Sequence, residues 1–170
     1  MAPEEALAEL TRRYFTSKGP ATVNDFATWS GLTLTDCKIG IAINSACLQK
    51  VVISGADYYL KESTSLEVEP IENICLLPVY DEFIMGYKNR EAYFQLKNTL
   101  KTPLEFRYDS MIIADGQIIG TWGRTVKQKS IAIVLQFFKP LGKNKINLLE
   151  KVMHRLGEFT GLTVEYENCR

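Results

Sequence analysis

Soft metal ligands are scarce in this chain of 170 residues: one histidine, His154, and four cysteines, Cys37, Cys47, Cys75 and Cys169. No two cysteines form a C-x-x-C pair, and their spacing is too wide for a structural zinc site, so neither a metal nor a disulfide framework is expected. No apolar run approaches the ~20 residues needed to cross a bilayer, which excludes a spanning helix and a membrane partner. The amino-terminal MAPEEALAEL is acidic and lacks the basic start and apolar stretch of a secretory signal, pointing to a cytoplasmic protein with reduced thiols. Twenty basic and twenty acidic residues leave no net charge, so the chain as a whole exerts no long-range pull on nucleic acid. No cofactor-binding motif appears, and no cofactor is expected.

What is present is ordinary globular material, 46% apolar and 24% charged, enough for one or two cores. A first helix is expected from Pro3, with Leu7, Leu10 and Tyr14 at helical spacing and Lys18, Gly19 and Pro20 as the stop. Thr22 and Asp25 are spaced as a capping box for a second, short helix with Val23, Phe26 and Ala27 inward and Gly31 at its end. Thr33 and Asp36 repeat that spacing and open a third, with Cys37, Gly40, Ile41 and, further along, Leu48 turned inward. LQKVVIS and DYYLKE then read as a β-hairpin around Gly55 and Ala56. Three helices, a tight turn and a two-stranded wing define a winged helix.

From about residue 66 the texture changes to strands. LEVEPI and ICLLPVY are candidate strands, EAYFQLKNTL a short helix, and IIADGQII a hairpin whose Asp115 and Gly116 supply the positive φ angles of a two-residue turn. SIAIVLQFF is a further apolar strand with at least one face covered, and more readily both. KNKINLLEKVMHRLGEFTG forms an amphipathic helix with Ile146, Leu149, Val152, Met153, Leu156 and Phe159 on its inner stripe and His154 on the solvated face. LTVEYE closes the chain as a half-exposed strand. The expected class is α+β: a winged-helix domain over 1–66, then a small antiparallel sheet or barrel with a packed carboxy-terminal helix over 67–170.

Three stretches, GPATVNDFATWSGLT, LLPVYDEFIMGYKNR and DGQIIGTWGR, occur in an order and spacing that resemble the carboxy-terminal half of a bacterial family of tandem winged-helix DNA-binding proteins. That family includes DNA glycosylases that unhook interstrand cross-links. The resemblance runs from about Leu10 to about residue 140. Its tryptophan and glycine after the second helix fall on Trp29 and Gly31; its aspartate, glycine-tyrosine pair and arginine fall on Asp81, Gly86, Tyr87 and Arg90. Its hairpin and glycine-threonine-tryptophan fall on Asp115, Gly116, Gly120, Thr121, Trp122 and Arg124. The resemblance implies double-stranded DNA as partner. Two departures stand out: Lys38, Ile39 and Ala42 lie where such recognition helices are rich in arginine and glutamate, and Asn89 replaces an acidic residue. Glycosylase members have about twice this length, and their catalytic glutamine-apolar-glutamine motif precedes the matched region. Gln49, Gln95, Gln117, Gln128 and Gln136 are all isolated here. The resemblance therefore implies a DNA-positioning part without its own catalytic centre, or a partner of a missing amino-terminal half. A protein-contacting winged helix and a glycosylase-related enzyme remain as alternatives.

Candidate DNA contacts are Thr35 and Lys38 on the third helix and Lys50 and Lys61 on the wing. Residues 1–68 carry six basic and eight acidic side chains, against fourteen and twelve in the rest. Arg124, Lys127, Lys129, Lys139, Lys143 and Lys145 follow one another with no acid between them. Of these, Arg124, Lys127 and Lys129, behind Trp122, make the stronger phosphate footprint. Asp81 and Glu82 are adjacent, so their carboxylates diverge on either a strand or a helix and cannot act as a hydrolase pair. A structural role is expected for this stretch: Asp81 capping a turn or helix and paired with Arg90 or Arg124, with Tyr87 packed beneath.

Overall fold

The computed structural model describes residues 2–65, 73–93 and 110–169. The protein is mixed α+β, and its chain divides into two compact units: Met1–Val68 with Glu82–Asn89, and Glu69–Asp81 with Arg90–Arg170. The polypeptide therefore passes from one unit to the other three times.

In the first unit, α1 (Pro3–Lys18), α2 (Val23–Ser30) and α3 (Leu34–Ile43) precede a hairpin of β1 (Leu48–Ile53) and β2 (Ala56–Lys61). Both expected caps form. Thr22 Oγ1 accepts from the Asp25 N–H at 3.2 Å while the Asp25 carboxylate accepts from the Thr22 N–H at 2.8 Å, and Thr33 accepts from the Asp36 N–H at 3.1 Å. Each oxygen satisfies a donor that the first helical turn leaves unpaired. Gly31, at φ 73°, ends α2. The core gathers Tyr14, Phe15, Ala21, Phe26, Cys37 and Leu48, with Tyr14 4.9 Å from the Phe26 ring and Phe15 5.0 Å from Tyr14. Such aromatic pairs add about 0.5–1.5 kcal/mol beyond burial. Gly40 permits the close approach of α1 and α3, since a Cβ there would stand 2.2 Å from Thr11 Oγ1. The hairpin turn is Ser54–Gly55, both at positive φ; Ala56 already belongs to β2, one residue earlier than the sequence pattern suggested.

A short helix, α4 (Glu82–Met85), and the residues after it complete this unit. Tyr14 donates its hydroxyl to the Gly86 carbonyl at 2.8 Å and Tyr87 donates to the Lys18 carbonyl at 2.6 Å. The buried Asp25 carboxylate accepts from the Lys88 N–H at 2.7 Å. The segment is strapped to α1 and α2 by polar bonds between residues far apart in sequence.

The second unit is a five-stranded sheet in the order β3 (Ile74–Leu77), β4 (Ser110–Ala114), β5 (Gln117–Val126), β6 (Ser130–Phe137), β7 (Thr163–Cys169). Helix α5 (Lys143–Thr160) contacts both edge strands, β3 and β7. Its Leu149 and Met153 meet Ile74, Ile112, Ile131, Ile133 and Leu135 in the core, and fully burying each such side chain contributes about 1.5–3 kcal/mol. The Asp115–Gly116 turn, φ 49° and 75°, joins β4 to β5 as its sequence requires.

Three expectations need correction. The sheet is not wholly antiparallel, because β6 and β7 pair in parallel; α5 carries the chain back along β6 before β7 begins, as a crossover helix does. Strand β6 is covered on one face, with Ile131, Ile133 and Leu135 buried and Val134 exposed. Ile146 and Phe159 lie outside the buried stripe of α5, Phe159 being 88% exposed, because they sit near the ends of the helix beyond the apolar strip of the sheet. Glu91–Tyr93 forms a 3-10 turn at the start of EAYFQLKNTL, where a short helix was expected; the rest of that stretch, and LEVEPI, lie outside the described residues.

Candidate nucleic-acid interface

In the second unit the candidate contacts gather along β5 and its turn into β6. Trp122 is directly opposite Ser110 on β4 and Leu135 on β6. Its indole N–H donates to the Leu77 carbonyl at 2.9 Å, which fixes the ring against the end of β3. Arg124 lies two residues on, on the same side of the strand. Its guanidinium carbon is 5.9 Å from the Trp122 ring centroid, within reach of a cation–π attraction. Lys127 and Lys129 occupy the turn, which the Lys127 N–H closes by donating to the Ser130 carbonyl at 2.8 Å. The Thr163 N–H of β7 donates to the Lys129 carbonyl at 3.2 Å, so the turn is braced on two sides.

Arg124, Lys127 and Lys129 are all exposed. Among the described residues none of them has a carboxylate within ion-pair distance. Lys145, by contrast, is neutralised by the Asp115 carboxylate. That carboxylate also accepts from the Asn73 N–H at 3.1 Å, and the lysine, followed by the Asn73 bond, holds its pKa below the usual value. Asp115 thus both shapes the β4–β5 turn and anchors the start of α5, while Gly116 supplies the second positive φ.

In the first unit Thr35 and Lys38 are exposed on α3, beside Ile39 and Ile43. Lys50 is paired with Asp57 across the hairpin at 3.2 Å. Lys61, at the end of β2, lines an open cleft of about 350 Å³ with Arg12, Thr16, Ala46, Cys47, Glu62 and Ser63. Lys38 and Lys61 are the wing-and-helix candidates without an acidic partner among the described residues.

Glu82 and Asp25 tie the LLPVYDEFIMGYKNR stretch to the first two helices. Asp81 stands immediately before α4, where a cap belongs, and its N–H donates to the Pro78 carbonyl at 3.3 Å. Glu82 takes the ion pair, with Lys18 Nζ at 2.9 Å, and accepts from the Trp29 indole N–H at 3.1 Å. The lysine, with the indole as a weaker contributor, lowers the Glu82 pKa. Tyr87 is half-buried, and burial, with Asp25 adding to it, raises its phenol pKa. Arg90 begins the return to the second unit. The roles of Lys18 and Glu82 and the bond of Asp25 to Lys88 had no local signal, since their partners lie 53 to 64 residues away.

Among the described residues no helix is long and apolar enough to cross a membrane, and no group of three or more His, Cys, Asp or Glu side chains could hold a metal. The chain thus carries a three-helix unit with a β-hairpin and a second unit built on a five-stranded mixed sheet, with exposed cations on β5 and the turn that follows it. The model of the family described as DNA glycosylase AlkZ-like matches residues 1–159, and the chain belongs to that family. Its fold is similar to that of Streptomyces sahachiroi DNA glycosylase AlkZ, with a TM-score of 0.71 at 20% identity over 97% of this chain. The alignment covers 46% of that protein, so this chain spans less than half its length. No curated protein matches.

Proposed function

We propose that this chain binds double-stranded DNA and positions it within an AlkZ-like repair architecture, in the compartment where DNA is kept. Its first unit acts as a winged helix, and the chain corresponds to the carboxy-terminal half of a tandem winged-helix arrangement. The observation that carries this reading is the set of three exposed cations, unneutralised among the described residues: Arg124 on β5 against Trp122, and Lys127 and Lys129 on the braced turn that follows, in a chain of a DNA glycosylase family. Cations already paired with carboxylates gain little from phosphate, whereas these three release counterions from DNA. Thr35, Lys38 and Lys61 contribute secondary contacts from the first unit, and Lys50 contributes least because Asp57 holds it.

Fluorescence anisotropy against duplex DNA tests the proposal. The slope of log affinity against log salt should be about −0.9 for each phosphate contacted, and replacing Arg124, Lys127 and Lys129 by glutamine should flatten it by roughly one per residue. A slope that the triple variant leaves intact, or no binding at low salt, refutes it. Two observations favour other readings. Family membership favours base excision by this chain itself, which release of abasic sites from alkylated or cross-linked DNA would reveal. The exposed Leu34, Ile39 and Ile43 of α3 favour a protein-contacting helix, which would leave binding unaffected by Lys38→Gln.

A further inference from the structure

Arg12 and Thr16 stand one turn apart on the same face of α1. With Cys47, at the corner between α3 and β1, and Lys61, Glu62 and Ser63, where the hairpin ends, they line the open cleft of about 350 Å³ in the first unit. Small-molecule sites occupy about 300–1,000 Å³. The walls are built. The Gln49 side-chain amide donates to the carbonyls of Lys61 at 3.2 Å, Glu62 at 3.1 Å and Thr64 at 3.1 Å, and the Glu62 N–H donates to the Cys47 carbonyl at 3.0 Å. On the other side, Arg12 Nε and Nη2 each donate to the Glu9 carboxylate at 2.9 Å. Walls held in this way before a ligand arrives have little freedom left to lose on binding.

The chemistry of the lining narrows the occupant. Glu9 already offsets the Arg12 charge, whereas the Lys61 ammonium has no acidic partner among the described residues. The Thr16 and Ser63 hydroxyls are without hydrogen-bond partners among the described residues too. A cation with two hydroxyl donors beside it suits a phosphate, whose oxygens accept several charge-assisted bonds at once. Phosphate alone would leave most of the cleft empty and the Glu62 carboxylate unused. A sugar carrying the phosphate fills the space and donates a hydroxyl to that carboxylate. In a DNA strand the 3′-hydroxyl is esterified and the 2′-hydroxyl is missing, so Glu62 favours the free sugar phosphate over a strand end. The cleft is also remote from the tip of the wing. Leu48 and Lys61 pair at the far end of the hairpin from Ser54–Gly55, about 17 Å along the strands.

We propose that this cleft binds a free sugar phosphate monoester, with Lys61, Thr16 and Ser63 on the phosphate and Glu62 on a sugar hydroxyl. The inference goes beyond the DNA reading and does not depend on it. Calorimetric titration of the full chain at low salt, with no duplex present, compares ribose 5-phosphate, ribose and inorganic phosphate. Ribose 5-phosphate should bind about tenfold or more tighter than either of the others, because only it engages both ends of the cleft. It should also slow alkylation of Cys47 by iodoacetamide, followed by peptide mass spectrometry, and leave the exposed Cys75 unprotected. Lys61→Gln should lower the affinity for ribose 5-phosphate about tenfold. Glu62→Gln should weaken ribose 5-phosphate while strengthening inorganic phosphate, since it removes both an acceptor and a repelling charge. Both positions are exposed, so neither variant should melt below the parent. Equal affinity for ribose 5-phosphate and inorganic phosphate, an unprotected Cys47, or a Lys61→Gln variant that binds as the parent does overturns the proposal. Tighter binding of a 5′-phosphorylated DNA strand than of ribose 5-phosphate overturns it as well. A chain that takes ribose 5-phosphate as expected yet fails to bind duplex upholds this site and refutes the DNA reading alone.

Discussion

Replacing Asp25 by alanine removes three bonds at once. Its carboxylate accepts from the Thr22 N–H at 2.8 Å, the Thr22 hydroxyl at 2.7 Å and the Lys88 N–H at 2.7 Å, in a residue only 3% exposed. Loss of the helix cap costs about 1 kcal/mol. Leaving the Lys88 N–H without a partner adds about 1–3 kcal/mol, partly offset because a buried carboxylate no longer has to be stripped of water. The net is about 3 kcal/mol. In a chain of this size each kcal/mol moves the melting midpoint by about 2–4 °C, so Asp25→Ala should melt about 6–12 °C below the parent. Asp25→Asn keeps an acceptor oxygen and should lose about half as much. Circular dichroism gives the midpoints, and limited trypsin digestion adds a local readout, because release of the strap exposes the bond after Lys88. A midpoint within about 2 °C of the parent, with no faster cleavage at Lys88, would refute the claim that this carboxylate ties the strap to the first unit.

Two further tests address packing and charge. Gly40→Ala should cost about 1–3 kcal/mol in urea unfolding, because the new methyl would meet Thr11 Oγ1 at 2.2 Å, and Thr11→Ala should relieve part of that cost when combined with it; strictly additive effects would argue against the contact. The Glu82 pKa is lowered in the folded state from 4.5, by Lys18 first and Trp29 after it, so its contribution is present above the unfolded value and is lost as pH falls through the folded one. Glu82→Gln should therefore flatten the decline of melting temperature below about pH 4.5 at low salt. The effect should shrink as salt screens this largely exposed pair. Glu9, brought down to about 2 by Arg12 and Arg13, titrates equally in both proteins and cancels. An identical pH slope in the variant would refute the role given to Glu82.

What the sequence disclosed was whatever a few adjacent residues decide. The Thr22–Asp25 and Thr33–Asp36 caps and the Asp115–Gly116 turn were readable because partner and signal lie within a few positions of each other. Strand β7 alternates clearly, yet alternation carries no direction; its parallel pairing follows only from α5, whose 18 residues return the chain about 27 Å along the sheet. Phe159 was misplaced because helical periodicity identifies a face but not how much of its length the sheet covers. In the candidate interface the cationic run was visible, but its division was not: Asp115 removes Lys145 from the free set, and nothing near Lys145 in sequence announces that. Around the LLPVYDEFIMGYKNR stretch, Glu82 holds Lys18 and Trp29 and Asp25 holds Lys88. Those partners meet only after folding.

The excursion of Glu82–Asn89 into the first unit sets a limit on how this protein can be taken apart or recombined. A gene segment ending near residue 68 would encode the helices and hairpin yet omit the piece that accepts the Tyr14 hydroxyl and donates to Asp25. Any ancestor that acquired or shed the sheet by a single recombination junction would have had to rebuild that piece. A graft of the first unit onto another scaffold must therefore carry the Glu82–Asn89 excursion with it.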